Sequence, residues 1–274
     1  MNKDVSMEIQ LGAQSDRGRA REDNEDCFRA VPELGLFVLS DGMGGQASGE
    51  IASRMVCDTV VERCLDAAEI SACVSDNGAV DVSELGNRLA DAIRVANSAV
   101  RRAAEENPAQ SGMGATVVAI MLTDERATIA HVGDSRAYRL RNGQLEQLTR
   151  DHSFVEEQVN QGLMSQQEAA QSNLQNVLMR AVGADADVQV EVNEDLFAEG
   201  DTLLLCSDGL TKELSDSQIA AVLGGSEDSQ EAAQQLVDMA NAAGGNDNIT
   251  VIVLRNTPKF AGALQRIGRW FRGS

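Results

Sequence analysis

The sequence predicts an α+β fold in which antiparallel β-sheets pack between layers of helices. Three observations favour this class. Most β-rich segments follow one another without a helix between them, an Asn-Gly pair joins two of them, and the helical segments occur in pairs instead of alternating strictly with strands. With 274 residues, 43% of them hydrophobic, the chain is long enough to form one domain with a full core.

Short apolar segments, most of them bounded by Gly, Asp or Asn, predict the strands. Asn142-Gly143 separates two of these segments and is the strongest short-range hairpin signal in the sequence. The predicted strands are residues 8–13, 35–39, 115–122, 127–132, 137–141, 145–148, 188–192, 202–206 and 248–254.

Apolar residues at three- and four-residue steps predict two long helices, over residues 50–67 and 85–106. Two shorter helices are predicted later in the chain. One begins after Ser215, with Gln218 as its capping-box partner, and the other covers residues 230–242. Each pair is expected to cover one sheet face.

A polar segment, residues 153–180, interrupts the pattern of strands. It begins with helical spacing and continues as a Gln- and Ser-rich stretch. We interpret it as a mobile insertion or flap.

Composition argues against several classes of protein. The formal net charge is −20, from 43 Asp and Glu against 23 Lys and Arg, so the body of the protein is expected to repel nucleic acid. The five cysteines form no C-x-x-C pair, which favours reduced, packed thiols. No segment has the length and apolarity of a membrane span or a signal peptide, so we expect a cytoplasmic protein.

The last twenty residues, 255–274, differ sharply in charge from the rest of the chain. They carry five Lys and Arg and no acid, whereas residues 1–254 carry all 43 Asp and Glu against 18 Lys and Arg. Phe260, Leu264, Ile267 and Phe271 recur at three- or four-residue steps and predict an amphipathic basic helix. This tail has three candidate roles: docking on the protein's own acidic surface, contact with an anionic membrane surface, or contact with a partner protein.

Four aspartates lie next to predicted strands. Asp41, Asp134 and Asp208 each directly follow an apolar strand, and Asp247 lies just ahead of the last one. A single Asp-Gly pair is most often only a turn. Two distant strands that both end in Ser-Asp-Gly are harder to explain in that way, because converging carboxylates are unfavourable unless a cation lies between them. Oxygen ligands without a His or Cys cluster point to Mg²⁺ or Mn²⁺.

A further acidic cluster near the N-terminus contains one arginine. Arg21 precedes Glu25 and Asp26 in the segment Arg-Glu-Asp-Asn-Glu-Asp. An arginine among acids is usually half of a surface ion pair, but its guanidinium is also well suited to hold two oxygens of a phosphate group. Both interpretations are open at this point.

Six short motifs occur in a specific order and spacing. They are Arg21-x-x-Asn24-Glu25-Asp26, Asp41-Gly42-Met43-Gly44-Gly45, Gly112-Met113-Gly114-Ala115-Thr116, Gly133-Asp134-Ser135-Arg136, Ser207-Asp208-Gly209-Leu210 and Gly245-Asn246-Asp247-Asn248. Together they resemble the bacterial type-2C (PPM) metal-dependent protein serine/threonine phosphatases, over residues 8–254. The resemblance implies a four-layer α-β-β-α sandwich of two antiparallel sheets flanked by helix pairs, with a flap insertion. Residues 1–254 would be the phosphatase catalytic domain.

The resemblance also implies a centre that holds two Mn²⁺ or Mg²⁺ ions at one end of the sandwich. Asp41 would bridge both ions. Glu25 and the carbonyl group of Gly42 would bind one ion, and Asp208 and Asp247 would bind the other.

In the implied reaction, a water molecule that bridges the ions attacks phosphorus directly, while the ions and Arg21 stabilise the phosphate oxygens. Asp26 would orient that water. The substrates would be proteins phosphorylated on serine or threonine, and the enzyme, expected to be a monomer, would oppose a bacterial serine/threonine kinase. The alternative is a phosphoprotein-binding pseudophosphatase with weak catalysis, although the intact set of acids argues against it.

This chain departs from the family pattern at two positions. Met43 stands where eukaryotic relatives have a histidine that is a candidate general acid. His152 is a candidate replacement, although a structural role in bracing the flap is favoured. Lys212 replaces an acid that helps Asp134 and Asp208 to hold a third, weaker ion, so its positive charge should weaken that site.

Overall fold

A computed structural model of the protein describes residues 8–44, 48–74, 82–123, 126–169 and 171–257. Its strands are β1 (Glu8–Asp16), β2 (Asp26–Val31), β3 (Leu36–Met43), β4 (Gly114–Ala115), β5 (Val117–Thr123), β6 (Arg126–Val132), β7 (Arg136–Arg141), β8 (Gln144–Gln147), β9 (Glu191–Leu196), β10 (Thr202–Cys206) and β11 (Ile249–Thr257). Its helices are α1 (Ser48–Val74), α2 (Val82–Glu106), α3 (Phe154–Asn160), α4 (Gln166–Ala169), α5 (Asp208–Thr211), α6 (Asp216–Gly225) and α7 (Ser229–Ala243).

The strands form two antiparallel sheets. The first sheet has the order β1-β11-β10-β7-β8, and the second has the order β2-β3-β5-β6-β9, with β4 paired to β3. The first and last strands of the described chain, β1 and β11, are therefore neighbours. They pair over their full lengths, from Glu8 opposite Thr257 to Asp16 opposite Ile249.

Alternate side chains of the strands pack into different layers of the core. On β3, Leu36 packs with residues of α1 and α2, whereas Phe37 packs between the two sheets. On β10, Leu204 packs with residues of α6 and α7, whereas Leu203 lies between the sheets. Complete burial of such a side chain contributes about 1.5–3 kcal/mol. This layering of helices, sheet, sheet and helices confirms the predicted fold class.

Two predicted local structures are confirmed. Asn142 and Gly143 both have positive φ angles, 52° and 77°, and join β7 to β8 as a tight antiparallel hairpin. Ser215 caps α6, and the Gln218 side chain closes the capping box. Both are short-range patterns, so the sequence alone was sufficient to predict them.

Two edge strands of the second sheet differ from the prediction. β2 was not predicted, and β9 covers Glu191–Leu196 instead of residues 188–192. Both strands are partly exposed. β9 is largely polar, and the apolar residues of β2 are interrupted by Arg29, so neither has the continuous apolar run on which the prediction relied. Val188 and Val190 instead pack against the helix-facing core just before β9 begins.

The last strand continues three residues into the predicted tail. The Arg255 guanidinium donates a hydrogen bond to the carbonyl oxygen of Leu223 at 2.7 Å, and Asn256 is buried beneath the end of the sheet. The remaining tail, residues 258–274, lies outside the described residues. Among the residues that are described, no helix combines the length and apolarity that crossing a membrane requires.

The two ends of the predicted flap, residues 153–180, are held together. The N–H group of Phe154 donates to the carbonyl of Val177 at 2.8 Å, and that of Met179 donates to the carbonyl of His152 at 2.7 Å. Helix α3 follows the first end and is capped by Ser153. The segment is therefore an insertion whose two ends are adjacent in the domain.

Candidate metal centre

The end of the β2–β3 pair carries three of the predicted ligands. Asp41 lies directly opposite Asp26 on the paired strand. The N–H group of Gly42 donates to the carbonyl oxygen of Glu25 at 3.1 Å, which fixes these residues side by side. Only glycine fits at position 42, because a Cβ there would lie 2.0 Å from the carbonyl oxygen of Gly49. These close contacts around Gly42 are made by backbone groups and do not depend on the acidic side chains.

Thr116 holds the backbone of Asp41 from the other side. Its N–H group donates to the Asp41 carbonyl at 2.8 Å, and its Oγ1 accepts from the Asp41 N–H group at 3.0 Å. The same hydroxyl lies 2.7 Å from Oγ of Ser135, the residue after Asp134. The third predicted aspartate is thus connected to Asp41 through two buried hydroxyl groups.

Asp208 and Asp247 come from neighbouring strands of the first sheet. Asp208 begins the short helix α5 after β10, and Asp247 lies two residues before β11. Gly209 allows the two segments to approach, since a Cβ at that position would lie 2.0 Å from the carbonyl oxygen of Asn248. The strand order therefore brings together acids that are 39 residues apart in the sequence.

Ser207 and Asn248 join the acids of the two sheets by hydrogen bonds. Ser207 Oγ donates to Asp26 Oδ2 at 2.8 Å. Asn248 Oδ1 accepts from the N–H group of Glu25 at 2.8 Å, and its amide nitrogen donates to two backbone carbonyl groups of the preceding segment. Both residues lie in the sequence motifs but had no predicted role. They position the acids and tie one sheet to the other.

Three buried carboxyl groups in this region have raised pKa values. Burial raises the pKa of Asp26 to about 7, and the charges of Asp208 and Asp247 act in the same direction. Burial, followed by the charge of Asp208, likewise raises the pKa of Asp134 to about 7. Burial and the charges of Asp26 and Asp208 raise the pKa of Asp41 well above its ordinary value. Each raised pKa indicates that additional negative charge is unfavourable at this group of carboxyl groups.

Two cationic side chains already contact the acids of the first sheet. Arg21 Nη2 lies 2.9 Å from Asp247 Oδ1, and the Arg21 side chain is half exposed. Lys212 Nζ lies 2.5 Å from Asp208 Oδ2 and 3.2 Å from Asp247 Oδ2. Burial acts to lower the pKa of Lys212, but the two carboxylates raise it above its ordinary value. The predicted phosphate ligand Arg21 therefore lies at the acidic cluster.

These residues have the chemistry that a hard divalent cation requires. Asp26 Oδ1 and Asp208 Oδ1 are buried and have no hydrogen-bond partner. Buried polar atoms without partners are costly, and a bound cation is one way to satisfy them. The available donors are carboxylate and carbonyl oxygens, the ligands of Mg²⁺ and Mn²⁺.

The predicted acids do not form a compact three-ligand cluster in the part of the chain that the structure describes. Within the part of the chain that the structure describes, the set of three side chains whose ligand atoms all lie within 4.8 Å of one another is His131, His152 and Glu191, not a set of the predicted acids. The acids are nevertheless close enough to shift one another's pKa values, as described above. The carboxylate of Asp247 contacts the cationic side chains of Arg21 and Lys212.

The set of two histidines and Glu191 is poorly suited to a metal ion. The N–H group of Gly133 donates to His152 Nδ1 at 3.2 Å, so the neutral ring carries its proton on Nε2, which lies 3.3 Å from Glu191 Oε2. A cation at this nitrogen would also face Arg180, whose Nη1 is 3.4 Å away. Burial lowers the pKa of His152 to about 4. His152 therefore stays neutral and braces the start of the flap, and His131, which is completely buried, stacks on its ring.

Comparison with known proteins gives one consistent result. A family model described as protein phosphatase 2C matches residues 13–250. The serine/threonine phosphatase stp of Listeria monocytogenes is 35% identical over 243 residues, which cover 88% of this chain and 93% of that protein.

Solved structures show the same similarity. The crystal structure of the Mycobacterium tuberculosis serine/threonine phosphatase PstP/Ppp has a TM-score of 0.80 and 35% identity, covering 91% of this chain and 99% of that one. The catalytic domain of the serine/threonine protein phosphatase PstP in complex with two manganese ions has a TM-score of 0.79 and 34% identity, covering 92% and 100%.

Proposed function

Because this chain belongs to the protein phosphatase 2C family and is a metal-dependent protein serine/threonine phosphatase, we propose that it hydrolyses phosphoserine and phosphothreonine on proteins by direct attack of water, without a phosphoenzyme. One observation carries this proposal. Arg21, which can hold a phosphate group, contacts Asp247 at the edge of a group of carboxyl groups contributed by both sheets.

The proposed ligands are those implied by the family motifs. Glu25, Asp41 and the carbonyl group of Gly42 would hold one divalent ion, and Asp41, Asp208 and Asp247 would hold the other. The raised pKa values of Asp41 and Asp208 and the unpartnered oxygen atom of Asp208 support this assignment. When bound, the two Mn²⁺ or Mg²⁺ ions would activate water as the nucleophile and offset the charge of the phosphate.

A third, weaker ion would lie next to Asp134. Burial raises the pKa of this residue, whereas the charge of Lys212 lowers it, so Lys212 supplies part of the charge compensation that an ion would provide. We therefore expect the third position to be weak in this chain.

The protein's own groups bind the substrate and position the water. Arg21 is exposed enough to turn from Asp247 towards a phosphate group and hold it through two N–H groups. Asp26 is fixed through Oδ2 by Ser207, which leaves Oδ1 to hold the attacking water and accept its proton.

Protonation of the leaving alkoxide does not involve a side chain at the positions expected from sequence. The thioether of Met43 has no proton to donate. His152 is held between the N–H group of Gly133 and the carboxylate of Glu191, and its pKa is lowered. Solvent water is therefore the proton source in this proposal.

The substrates are phosphorylated proteins, and the activity opposes that of serine/threonine kinases. In the finer proposal, the enzyme is a cytoplasmic monomer that opposes one kinase of a bacterial signalling pathway. The tail keeps its three candidate roles. Because β11 extends to Thr257, the deletion that tests them should begin at residue 258. If the tail docks on the protein's own surface, the deletion variant should have a lower melting temperature than the full chain and the same binding to vesicles.

A steady-state assay tests the proposed function. The full chain should hydrolyse an aryl phosphate and phosphoserine or phosphothreonine peptides with added Mn²⁺ or Mg²⁺, and should stop when EDTA is added. Undiminished turnover in excess EDTA would contradict the proposal. Specific binding of phosphopeptides without turnover would favour the alternative, a phosphoprotein-binding pseudophosphatase.

A further inference from the structure

Lys212 has an unusual position between two acids of the metal centre. Its ammonium group contacts Asp208 Oδ2 at 2.5 Å and Asp247 Oδ2 at 3.2 Å. The side chain is about one third exposed, so it can also reach solvent. Lys212 is the only lysine between residues 4 and 258, since every other cationic side chain in that stretch is arginine.

The backbone fixes Lys212 close to these acids. Its N–H group donates to the carbonyl oxygen of Asp208 at 2.9 Å, one turn earlier in α5. An ammonium group is a compact charge on a flexible stem, whereas a guanidinium group is broad and planar. Lysine can therefore lie between two carboxylates and also withdraw from them without movement of the backbone.

The contacts of Lys212 use the same side chains that the second ion needs. One oxygen of Asp208 is held by Lys212 while the other has no partner, and both oxygens of Asp247 are held by cationic side chains. An ion cannot bind Asp208 and Asp247 fully while the ammonium group stays between them, because two positive charges at this separation repel strongly.

We propose that Lys212 is a built-in competitor of the metal ion held by Asp208 and Asp247. Its ammonium group neutralises this pair when no ion is bound, and it moves towards solvent when an ion binds. This inference rests on the proposed metal centre. It gives the protein two properties: greater stability without metal, and a higher metal concentration for loading of the second ion.

The two properties are linked thermodynamically. Anything that stabilises the protein only in its ion-free form must weaken ion binding by the same free energy. A variant without the charge of Lys212 should therefore bind metal more tightly and be less stable in EDTA. An effect on the third ion alone would leave the affinity of the first two ions unchanged.

Calorimetric titration of the full-length, EDTA-treated and desalted protein with Mn²⁺ tests the inference. Lys212→Met keeps the length of the side chain and removes its charge, whereas Lys212→Arg keeps the charge. Arg101→Met is the matched control, since it removes one charge from another pair at the i,i+4 spacing, Arg101 with Glu105 at 3.1 Å. We expect at least about fivefold tighter Mn²⁺ binding in Lys212→Met, at the low end of typical coupling between two ligands. Lys212→Arg, which keeps the charge, should not bind Mn²⁺ more tightly than wild type, and Arg101→Met should stay close to wild type.

Thermal unfolding in EDTA is the second measurement. Lys212→Met should melt at least about 2 °C below Arg101→Met, because Asp208 and Asp247 lose their shared cation. A third measurement uses the chemistry of lysine. An acetylating reagent labels exposed lysines, and mass spectrometry measures the extent of labelling at Lys212. Adding Mg²⁺ should increase this labelling, because the ammonium group moves to solvent when the ion binds.

The outcomes separate this inference from the proposed function. Unchanged Mn²⁺ affinity in Lys212→Met, or the gain of one additional weak ion only, would overturn the role of Lys212 and leave the metal centre intact. If Asp208→Ala bound Mn²⁺ as tightly as wild type, the proposed centre itself would be wrong.

Discussion

Asp26 and Asp41 lie directly opposite each other on the antiparallel strands β2 and β3. Like charges in this arrangement are destabilising unless something compensates them. Asp26 is fixed by Ser207, a residue of the other sheet, so the two acids cannot move apart freely. The protein thus holds two carboxyl groups together at a cost to its own stability, which is typical of functional sites.

Removing a proposed metal ligand from the first sheet should abolish most of the activity. We expect Asp208→Ala to reduce kcat/KM for an aryl phosphate by about 10²-fold or more, because metal ligands and charge-stabilising groups contribute on this scale. The control is Asp238→Ala, which removes an exposed carboxylate from α7. A loss of less than tenfold, with the fold intact by circular dichroism, would show that Asp208 is not a ligand.

Arg21 should act mainly on substrate binding. Charge-assisted hydrogen bonds contribute about 1.5–3 kcal/mol, so Arg21→Ala should lower kcat/KM by roughly 10- to 100-fold, chiefly through a higher KM. Arg94→Ala, which removes a surface ion pair with Asp91, provides the control. A large fall in kcat at unchanged KM would instead indicate that Arg21 stabilises only the transition state.

The free energy of unfolding should depend on pH in a way that reflects the raised pKa of the buried Asp26 side chain. Its pKa is raised to about 7, so between about pH 4 and 7 the folded protein keeps a proton that the unfolded chain releases. The free energy of unfolding of the EDTA-treated protein should therefore fall as pH rises through this window. For a shift of about three units the Asp26 contribution is at most about 4 kcal/mol.

The comparison between wild type and Asp26→Asn isolates this contribution, because the amide oxygen can still accept from Ser207 but the group cannot ionise. Urea unfolding at pH 5 and pH 8 in EDTA measures the difference. The variant should lose less stability than wild type between the two values. Equal losses in both proteins would mean that Asp26 titrates normally.

Asn248 should be important for stability as well as for the site. Asn248→Ala removes three hydrogen bonds between the segments before β2 and β11, at about 0.5–1.5 kcal/mol each. We expect the free energy of unfolding, measured by urea denaturation in EDTA, to fall by roughly 1.5–4.5 kcal/mol. Asn160→Ala, at the exposed end of α3, is the control and should have little effect. Similar stability of the two variants would argue against the bridging role.

The acids next to apolar strands could be predicted from sequence because the strands themselves are unmistakable. β10 has the predicted bounds, and all five of its residues are buried. Asp208 follows at the point where its apolar run ends, so its place at a sheet end was implied by one short segment. The same reasoning applies to Asp41 at the end of β3.

The relationships between distant residues could not be predicted in this way. Lys212 was expected to affect a third ion next to Asp134, but its contact with Asp247 depends on β10 and β11 being neighbours. The pairing of Asp26 with Asp41 depends on β2, a short edge strand whose apolar residues are interrupted by Arg29. Ser207 and Asn248 had no predicted role because a hydrogen bond across 181 or 223 residues leaves no local pattern.

The position of the flap has a consequence for the integrity of the enzyme. All of the proposed ligands and Arg21 lie outside residues 153–180. Strands from before and after this segment pair with one another in both sheets: β1 pairs with β11, β7 with β10 and β6 with β9. A single proteolytic cut in the segment would therefore leave two fragments that remain one folded body. Neither fragment alone would contain a complete active site, so the two halves of the gene should complement each other only when they are expressed together.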